Sequence, residues 1–164
     1  MPHTLHPNPV KHIFILSVFL FSLSCETNKE ITPVLTVSEN RRFLATESGD
    51  PFFWLGDTGW LLFTKLSREE AEKYLEDRRQ KGFNVIQVMV LHNVRNSVNV
   101  YGDSALIGNR IDKPLTTPGN SFEDPVLYDF WDHIDYVVGL AEKKGIYMAL
   151  VPVWGSNVRN GLVN

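Results

Sequence analysis

Three places in this sequence put groups able to hold a polyhydroxylated ligand directly after an apolar run. The first is Pro51-Phe52-Phe53-Trp54-Leu55-Gly56-Asp57-Thr58-Gly59-Trp60, where a carboxylate and an indole follow four apolar side chains. The second is His92-Asn93, after Val88-Met89-Val90-Leu91, and the third is Trp154-Gly155, after Leu150-Val151-Pro152-Val153. A carboxylate accepts from hydroxyl groups, an asparagine amide donates and accepts, and a flat indole covers the apolar face of a sugar ring. Tyr101-Gly102-Asp103 adds a further ring and carboxylate. The candidate substrate-binding residues are therefore Asp57, Trp60, His92, Asn93, Tyr101, Asp103 and Trp154.

Each of these has a plainer use. Asp57 after a glycine can cap the turn that follows it, His92 can orient a loop, and Asn93 can satisfy loop amides. Trp154 could fill core, although an indole just past a strand end faces a pocket and its N–H needs a partner. Tyr101 and Asp103 could gate a site or stand in solvent. Glu123, Asp124, Asp129, Asp132 and Asp135 read as caps and surface acids around a helix start, where the dipole favours them. No His, Cys or carboxylate cluster has zinc-ligand spacing, so neither a metal nor a cofactor is proposed.

The elements that must position these groups are strands and helices in alternation. Phe52 to Leu55 reads as a short strand covered on both faces, with Gly56 turning the backbone where it stops. Ser67-Arg68-Glu69-Glu70 is a capping box that starts a helix. Ala71, Tyr74, Leu75 and Arg78 share one face of it, Glu69 and Lys73 form an i,i+4 pair, and Gly82 ends the run. Phe83 to Leu91 is a β-rich run interrupted only by Asn84 and Gln87, the pattern of a buried parallel strand. From His92 to about Glu123 the chain is irregular, either a functional loop or a tolerated insertion, and the functional reading is preferred.

Asp124-Pro125 then signals a helix with a buried stripe of Phe130, Ile134, Val137, Val138 and Ala141, closed by Lys143-Lys144-Gly145. Ile146 to Val153 is the third buried strand, and its Pro152 is tolerable near the end. Ahead of all this, Leu35-Thr36-Val37 and Phe43-Leu44-Ala45 flank a polar turn and predict a hairpin, with a second turn at Ser48-Gly49-Asp50-Pro51. That hairpin either closes the bottom of a barrel or belongs to an accessory sheet.

Three parallel-type strands separated by helices, each ending in polar and aromatic groups, predict an α/β fold: the amino-terminal strands and helices of an incomplete (β/α)8 TIM barrel, preceded by a short β-hairpin. The rival is a doubly wound sheet, but Gly56-Asp57-Thr58-Gly59 lacks the GxGxxG spacing expected after its first strand. A complete barrel takes about 250 residues, more than the 164 here, so the chain is expected to be a truncated portion of one.

Composition narrows the function classes. The chain is 43% hydrophobic and 21% charged, which suits a globular protein rather than a disordered or fibrous one. A net charge of -3 without a long basic run argues against nucleic acid as a partner. Lys11 precedes an apolar run from Ile13 to Leu23, too short for a membrane span but suited to a secretory signal. Cys25, the one cysteine, closes that segment after Ser24 and reads as the lipidation site of a bacterial lipoprotein, in preference to an ordinary cleaved signal. Residues 1–24 are thus a signal peptide, 25–34 a tether and 35–164 the barrel portion, exported and lipid-anchored at the periplasm or cell surface. Losing Lys11 with the signal leaves 15 basic (16 minus 1) against 19 acidic residues.

Four stretches together carry a resemblance: Phe53 to Trp60, the helix Ser67 to Arg78, the strand Lys81 to Gln87 and the pair Trp154-Gly155. In order and spacing, over nearly all of residues 35 to 157, they resemble the apiosidase-like family of glycoside hydrolases. Tyr101-Gly102-Asp103 is similar to a family feature, while Gly59 stands where the family often has alanine. The resemblance implies a (β/α)8 barrel, often followed by a small β-sandwich, that cleaves glycosidic bonds such as those of apiose in branched plant pectin. It also implies that the acid/base and nucleophile carboxylates lie on later strands, beyond Asn164, so no catalytic residue is assigned here. The expected function is an exported glycoside hydrolase with an oligosaccharide or polysaccharide substrate. A non-catalytic carbohydrate-binding lipoprotein is the alternative, and a fragment of a broken reading frame a third possibility.

Overall fold

The computed structural model describes residues 32–159, with side chains through Asn157. The signal segment 1–24, Cys25 and residues 26–31 of the expected tether lie outside the described residues. Residues 32–34 are already docked: the Thr32 hydroxyl donates to the Glu142 carbonyl at 3.2 Å, and the Tyr147 hydroxyl donates to the Pro33 carbonyl. Residues 32–34, assigned to the tether from sequence, are thus held against the fold.

Strands β1 (Leu35–Val37) and β2 (Leu44–Thr46) form the expected antiparallel hairpin, with Thr36 opposite Ala45. Past the second turn, the Phe52 amide donates to the Leu44 carbonyl and Pro51 bridges Ala45, so the chain doubles back along β2. Phe52 then meets the Tyr147 ring edge-on, 5.1 Å between centroids. The hairpin thus sits at the amino end of the parallel strands.

The strand expected at Phe52 to Leu55 forms instead at Gly56–Thr58, here β3. The four apolar residues are not covered on both faces: Phe53 is 77% exposed, and Trp54 and Leu55 are exposed too. What aligns this lead-in is the side chain of Asn84. Its amide nitrogen donates to the Phe53 carbonyl at 2.7 Å and its oxygen accepts from the Leu55 amide at 2.9 Å, standing in for a neighbouring strand. Backbone bonding to β4 starts at the Leu55 carbonyl, which accepts from the Asn84 and Val85 amides, and the strand register begins with Gly56 opposite Val85. Gly56 therefore opens the strand rather than ending it, and a Cβ there would come 2.7 Å from Trp54 Nε1.

A short helix α1 (Leu62–Lys65) buries Leu62 and Phe63, and helix α2 (Arg68–Gln80) follows. The capping box is as expected, with the Ser67 hydroxyl accepting from the Glu70 amide and the Glu70 carboxylate accepting from the Ser67 amide. Ala71 and Leu75 are fully buried. Glu69 does not pair with Lys73; it accepts from the Ser67 hydroxyl at 2.8 Å, pulled back toward the helix start. Gly82, at φ +81°, makes the left-handed turn into β4 (Val85–Leu91).

After the long loop, helix α3 (Phe130–Lys143) begins at Asp129 and not at Asp124-Pro125. Asp129 accepts from the amides of Trp131 and Asp132, and Asp132 returns the bond to the Asp129 amide. This reciprocal cap satisfies three backbone amides at one helix start, where the Asp124 carboxylate satisfies only the Val126 amide of a turn. Phe130, Ile134, Val137 and Ala141 form the buried stripe, with Val138 packed at its margin.

Strand β5 (Tyr147–Val153) runs parallel to β4, which lies between β3 and β5, from Val85 opposite Tyr147 to Leu91 opposite Val153. It is not buried on both faces: Leu150 is 46% exposed, because among the described residues β5 has a strand neighbour only on its β4 side. A last turn, α4 (Ser156–Arg159), follows Trp154-Gly155. The core lies between the sheet and helices α1, α2 and α3, built on Phe63, Leu75, Ile86, Val88, Phe130 and Val137. The result is a mixed α/β unit with the hairpin at one end of the parallel sheet and the β-to-α loops at the other.

Candidate functional site

Parallel pairing sends β3, β4 and β5 out at the same end, the end at which ligands bind in α/β folds. Leu91 and Val153 are register partners, so His92 and Trp154, the next residues, leave the sheet side by side. β3 is shorter, but Gly59 extends its ladder by donating to the Gln87 carbonyl, and Trp60 then rises toward Trp154. The two indoles meet edge to face, 5.4 Å apart at 69°. Trp60 is half-buried and Trp154 is 45% exposed, so the pair presents open aromatic surface at the strand ends.

Beside it is a depression of about 270 Å³. One wall is α1 and the residue before it, through Leu61, Thr64 and Lys65; the other is the start of the long loop, through His92, Asn93, Asn96, Ser97 and Val98. His92 and Asn93 are exposed. Asn93 also shapes the loop, its side chain accepting from the Arg95 amide at 3.0 Å and its carbonyl accepting from the Ser97 hydroxyl. The depression offers an imidazole, an ammonium and two carboxamides that can take hydroxyl groups or an anion, while its two hydroxyls already donate to backbone, Thr64 to the Leu61 carbonyl and Ser97 to that of Asn93. Lys65, Asn96 and Ser97 were not singled out as site residues from sequence, because nothing in their spacing joins the end of α1 to the loop after β4.

Asp57 does not stand with this group. It lies within β3 opposite Ile86, five residues before Leu91 on the neighbouring strand, about 16 Å lower at 3.3 Å per residue. Like Ile86, it faces the helix layer. There its carboxylate takes the Arg78 guanidinium in an ion pair, the Tyr74 hydroxyl at 2.9 Å and the Thr58 amide at 2.8 Å. Burial pushes the Asp57 carboxyl up, but the hydrogen bond from Arg78, with those from Thr58 and Tyr74, outweighs burial and holds it below the usual carboxylate range. Burial and the bond to this carboxylate push Tyr74 up to about 12. The stripe of Tyr74 and Arg78 on α2 is thus the counterpart of a strand carboxylate.

Tyr101 and Asp103 are engaged inside the loop. Asn99, buried, accepts from the Tyr101 and Asp103 amides and donates to the Asp103 carboxylate at 2.9 Å, closing a tight knot. The Tyr101 hydroxyl accepts from the Arg68 amide at 2.8 Å, which fastens the loop to the first turn of α2. Arg68 in turn lies against three rings, Tyr101, Phe122 and Tyr128, at 5.1, 4.1 and 5.0 Å from their centroids. Trp131 donates its indole N–H to the Ala105 carbonyl at 3.0 Å, and the Thr117 amide donates to Asp129 at 2.6 Å. The long loop is therefore pinned at several points against α2 and α3. His133, on the buried stripe of α3 by its spacing from Phe130 and Val137, was the readable signal for this cluster. Among the described residues no group of three or more His, Cys, Asp or Glu could hold a metal ion.

Comparison with known proteins agrees with this geometry. No match was found among curated proteins. A solved structure described as a glycoside hydrolase is 45% identical, with a TM-score of 0.64, over 81% of this chain and 28% of its own. A crystal structure of a glycoside hydrolase family 5 protein from Bacteroides vulgatus ATCC 8482 is 41% identical, with a TM-score of 0.63, over 79% of this chain and 27% of its own. The chain thus spans little more than a quarter of the length of these solved relatives. The family model for the apiosidase-like catalytic domain matches residues 38–164, most of the sequence, and the chain belongs to that family.

Proposed function

We propose that this chain forms the opening strands of a (β/α)8 barrel in an exported glycoside hydrolase that acts on plant pectin side chains. The observation that carries the reading is the Trp60–Trp154 pair at the carboxyl ends of parallel strands, next to a depression lined by His92, Asn93 and other donors. An indole stacks on the apolar face of a pyranose or furanose ring while amides and hydroxyls bind its rim. Family membership supports glycosyl-bond hydrolysis as the reaction.

Hydrolysis needs two carboxylates across the scissile bond, one to protonate the leaving oxygen and one to act as nucleophile or base. Asp57, the one acid on a described strand, is neutralised by Arg78 and faces the helices, which is unlike either role. The working pair is expected on later strands, beyond Asn164. The stretch from Cys25 to Asn164 is then expected to be inactive alone. Turnover of an aryl glycoside or a pectin oligosaccharide by this stretch, abolished by Asp57→Asn, would overturn that assignment.

Export and anchoring rest on the run Ile13 to Leu23 followed by Cys25. Mass spectrometry of the mature amino terminus is expected to find a diacylated Cys25, and an unmodified terminus downstream of it would remove the anchor. The committed state of Asp57 also suits a carbohydrate-binding lipoprotein without hydrolytic activity. The complete protein separates the two: sugar release from pectin side chains supports the hydrolase, and sugar binding without turnover supports the binding protein.

A further inference from the structure

The two walls of the strand-end depression come from separate segments, and one buried side chain touches both segments. His133 is 0% exposed. Its Nε2 lies 3.1 Å from the Leu66 carbonyl, directly after the α1 wall, and its Nδ1 lies 3.1 Å from the Tyr128 hydroxyl. A carbonyl can only accept, so the neutral imidazole carries its proton on Nε2 and accepts from Tyr128 at Nδ1. The Tyr101 ring packs edge-on against the imidazole at 5.4 Å, and the Tyr101 hydroxyl holds the Arg68 amide. Through Leu66, the residue after α1, and Tyr101, three residues past the last lining residue of the long loop, His133 touches both of the segments that supply the walls.

We propose that His133 is the positioning residue that seats the long loop against α1 and α2 at the strand-end face, and that a second proton on its imidazole unseats that loop. The groups around it explain the direction. A proton at Nδ1 would meet the Tyr128 hydroxyl, which now donates and would have to turn and accept. The new charge would be dry and close to the Arg68 guanidinium, which already lies over Tyr101 and Tyr128. Asp103, the carboxylate acting on it from the loop, is held by Asn99. Burial pushes the imidazole below its ordinary value and Arg68 adds to that, with the Leu66 carbonyl and Asp103 opposing. The seated loop prefers the neutral ring and the unseated loop admits the charged one, so seating is complete at neutral pH and weakens as pH falls below about 6.5.

The test is hydrogen exchange of the Ser97–Leu106 amides in the complete protein, corrected for intrinsic rates, from pH 7.5 to pH 5. Protection should fall by up to about tenfold per pH unit below about 6.5, the effect of one added proton. In His133→Gln, whose amide can still donate to Leu66 and accept from Tyr128, the profile should be flat. PH-independent protection in the unaltered protein, or the same fall in His133→Gln, would overturn the proposal. Should the variant not fold, titration of the His133 imidazole by NMR in the unaltered protein decides: a midpoint shared with the loop supports coupling, and separate midpoints refute it.

Discussion

Two polar clusters on this scaffold use similar chemistry toward opposite ends. At mid-sheet, Asp57 meets Arg78 and Tyr74 from α2, and both oxygens of its carboxylate have partners within the protein. At the strand ends, Trp60, His92, Asn93 and Trp154 offer an open ring face and donors around a depression. The difference lies in who completes the hydrogen bonding. A carboxylate whose charge, phenol and amide contacts are all internal holds a strand to a helix, whereas exposed indole and amide groups leave room for a ligand.

The largest effect should come from breaking the mid-sheet cluster. Asp57→Ala leaves the Tyr74 hydroxyl and the Thr58 amide without their acceptor and the Arg78 guanidinium with Asp77 alone, and should cost about 2–3 kcal/mol in chemical denaturation of the complete protein. The Asp57 side chain is 27% exposed and that of Arg78 25%, which keeps the loss below that of a fully buried pair. The pH dependence has a defined sign. The folded carboxyl lies below its ordinary value of 3.8, so its stabilisation is present above that pH and is lost as pH falls through the folded value. Asp57→Asn should flatten that acid limb. An unchanged limb would mean that Asp57 is not the strap described here.

Trp154→Ala probes the other side of the comparison. Sugar affinity should weaken by about 1–3 kcal/mol, in the range for burying a large side chain, with a smaller change in stability. Titration calorimetry with pectin oligosaccharides reads it, and unchanged affinity would make Trp154 merely the packing partner of Trp60. Asn84→Ala removes both side-chain bonds to the Phe53–Leu55 lead-in and should cost about 1–2 kcal/mol without altering sugar affinity. Faster hydrogen exchange at Leu55 is its local signature. Lys73→Ala should stay within about 0.5 kcal/mol, because Glu69 is turned toward Ser67 and no ion pair is lost. A larger loss in thermal melts would restore the i,i+4 pair.

Local chemistry alone determined the hairpin, the Ser67–Glu70 capping box, the left-handed stop at Gly82, the buried run of β4 and the stripe of α3, because each is written within a few residues by periodicity, a cap or a glycine. The same holds for the strand-end placement of His92 and Trp154, which follows from where two apolar runs stop. Tertiary structure decided the rest. Phe52 to Leu55 has strand composition, yet Phe52 bonds to β2 and Phe53 and Leu55 to the Asn84 side chain, so the parallel register begins only as the Leu55 carbonyl meets the Asn84 and Val85 amides. Asp124-Pro125 has a helix-start sequence, yet Asp129 wins because Asp132 answers it and the Thr117 amide, twelve residues back, binds it as well. Asp57 looked like a ligand contact until Arg78, twenty-one residues on, took its charge. Such outcomes depend on which group, often a dozen or more residues away, completes the hydrogen bonding in the folded chain, and short windows of sequence do not contain it.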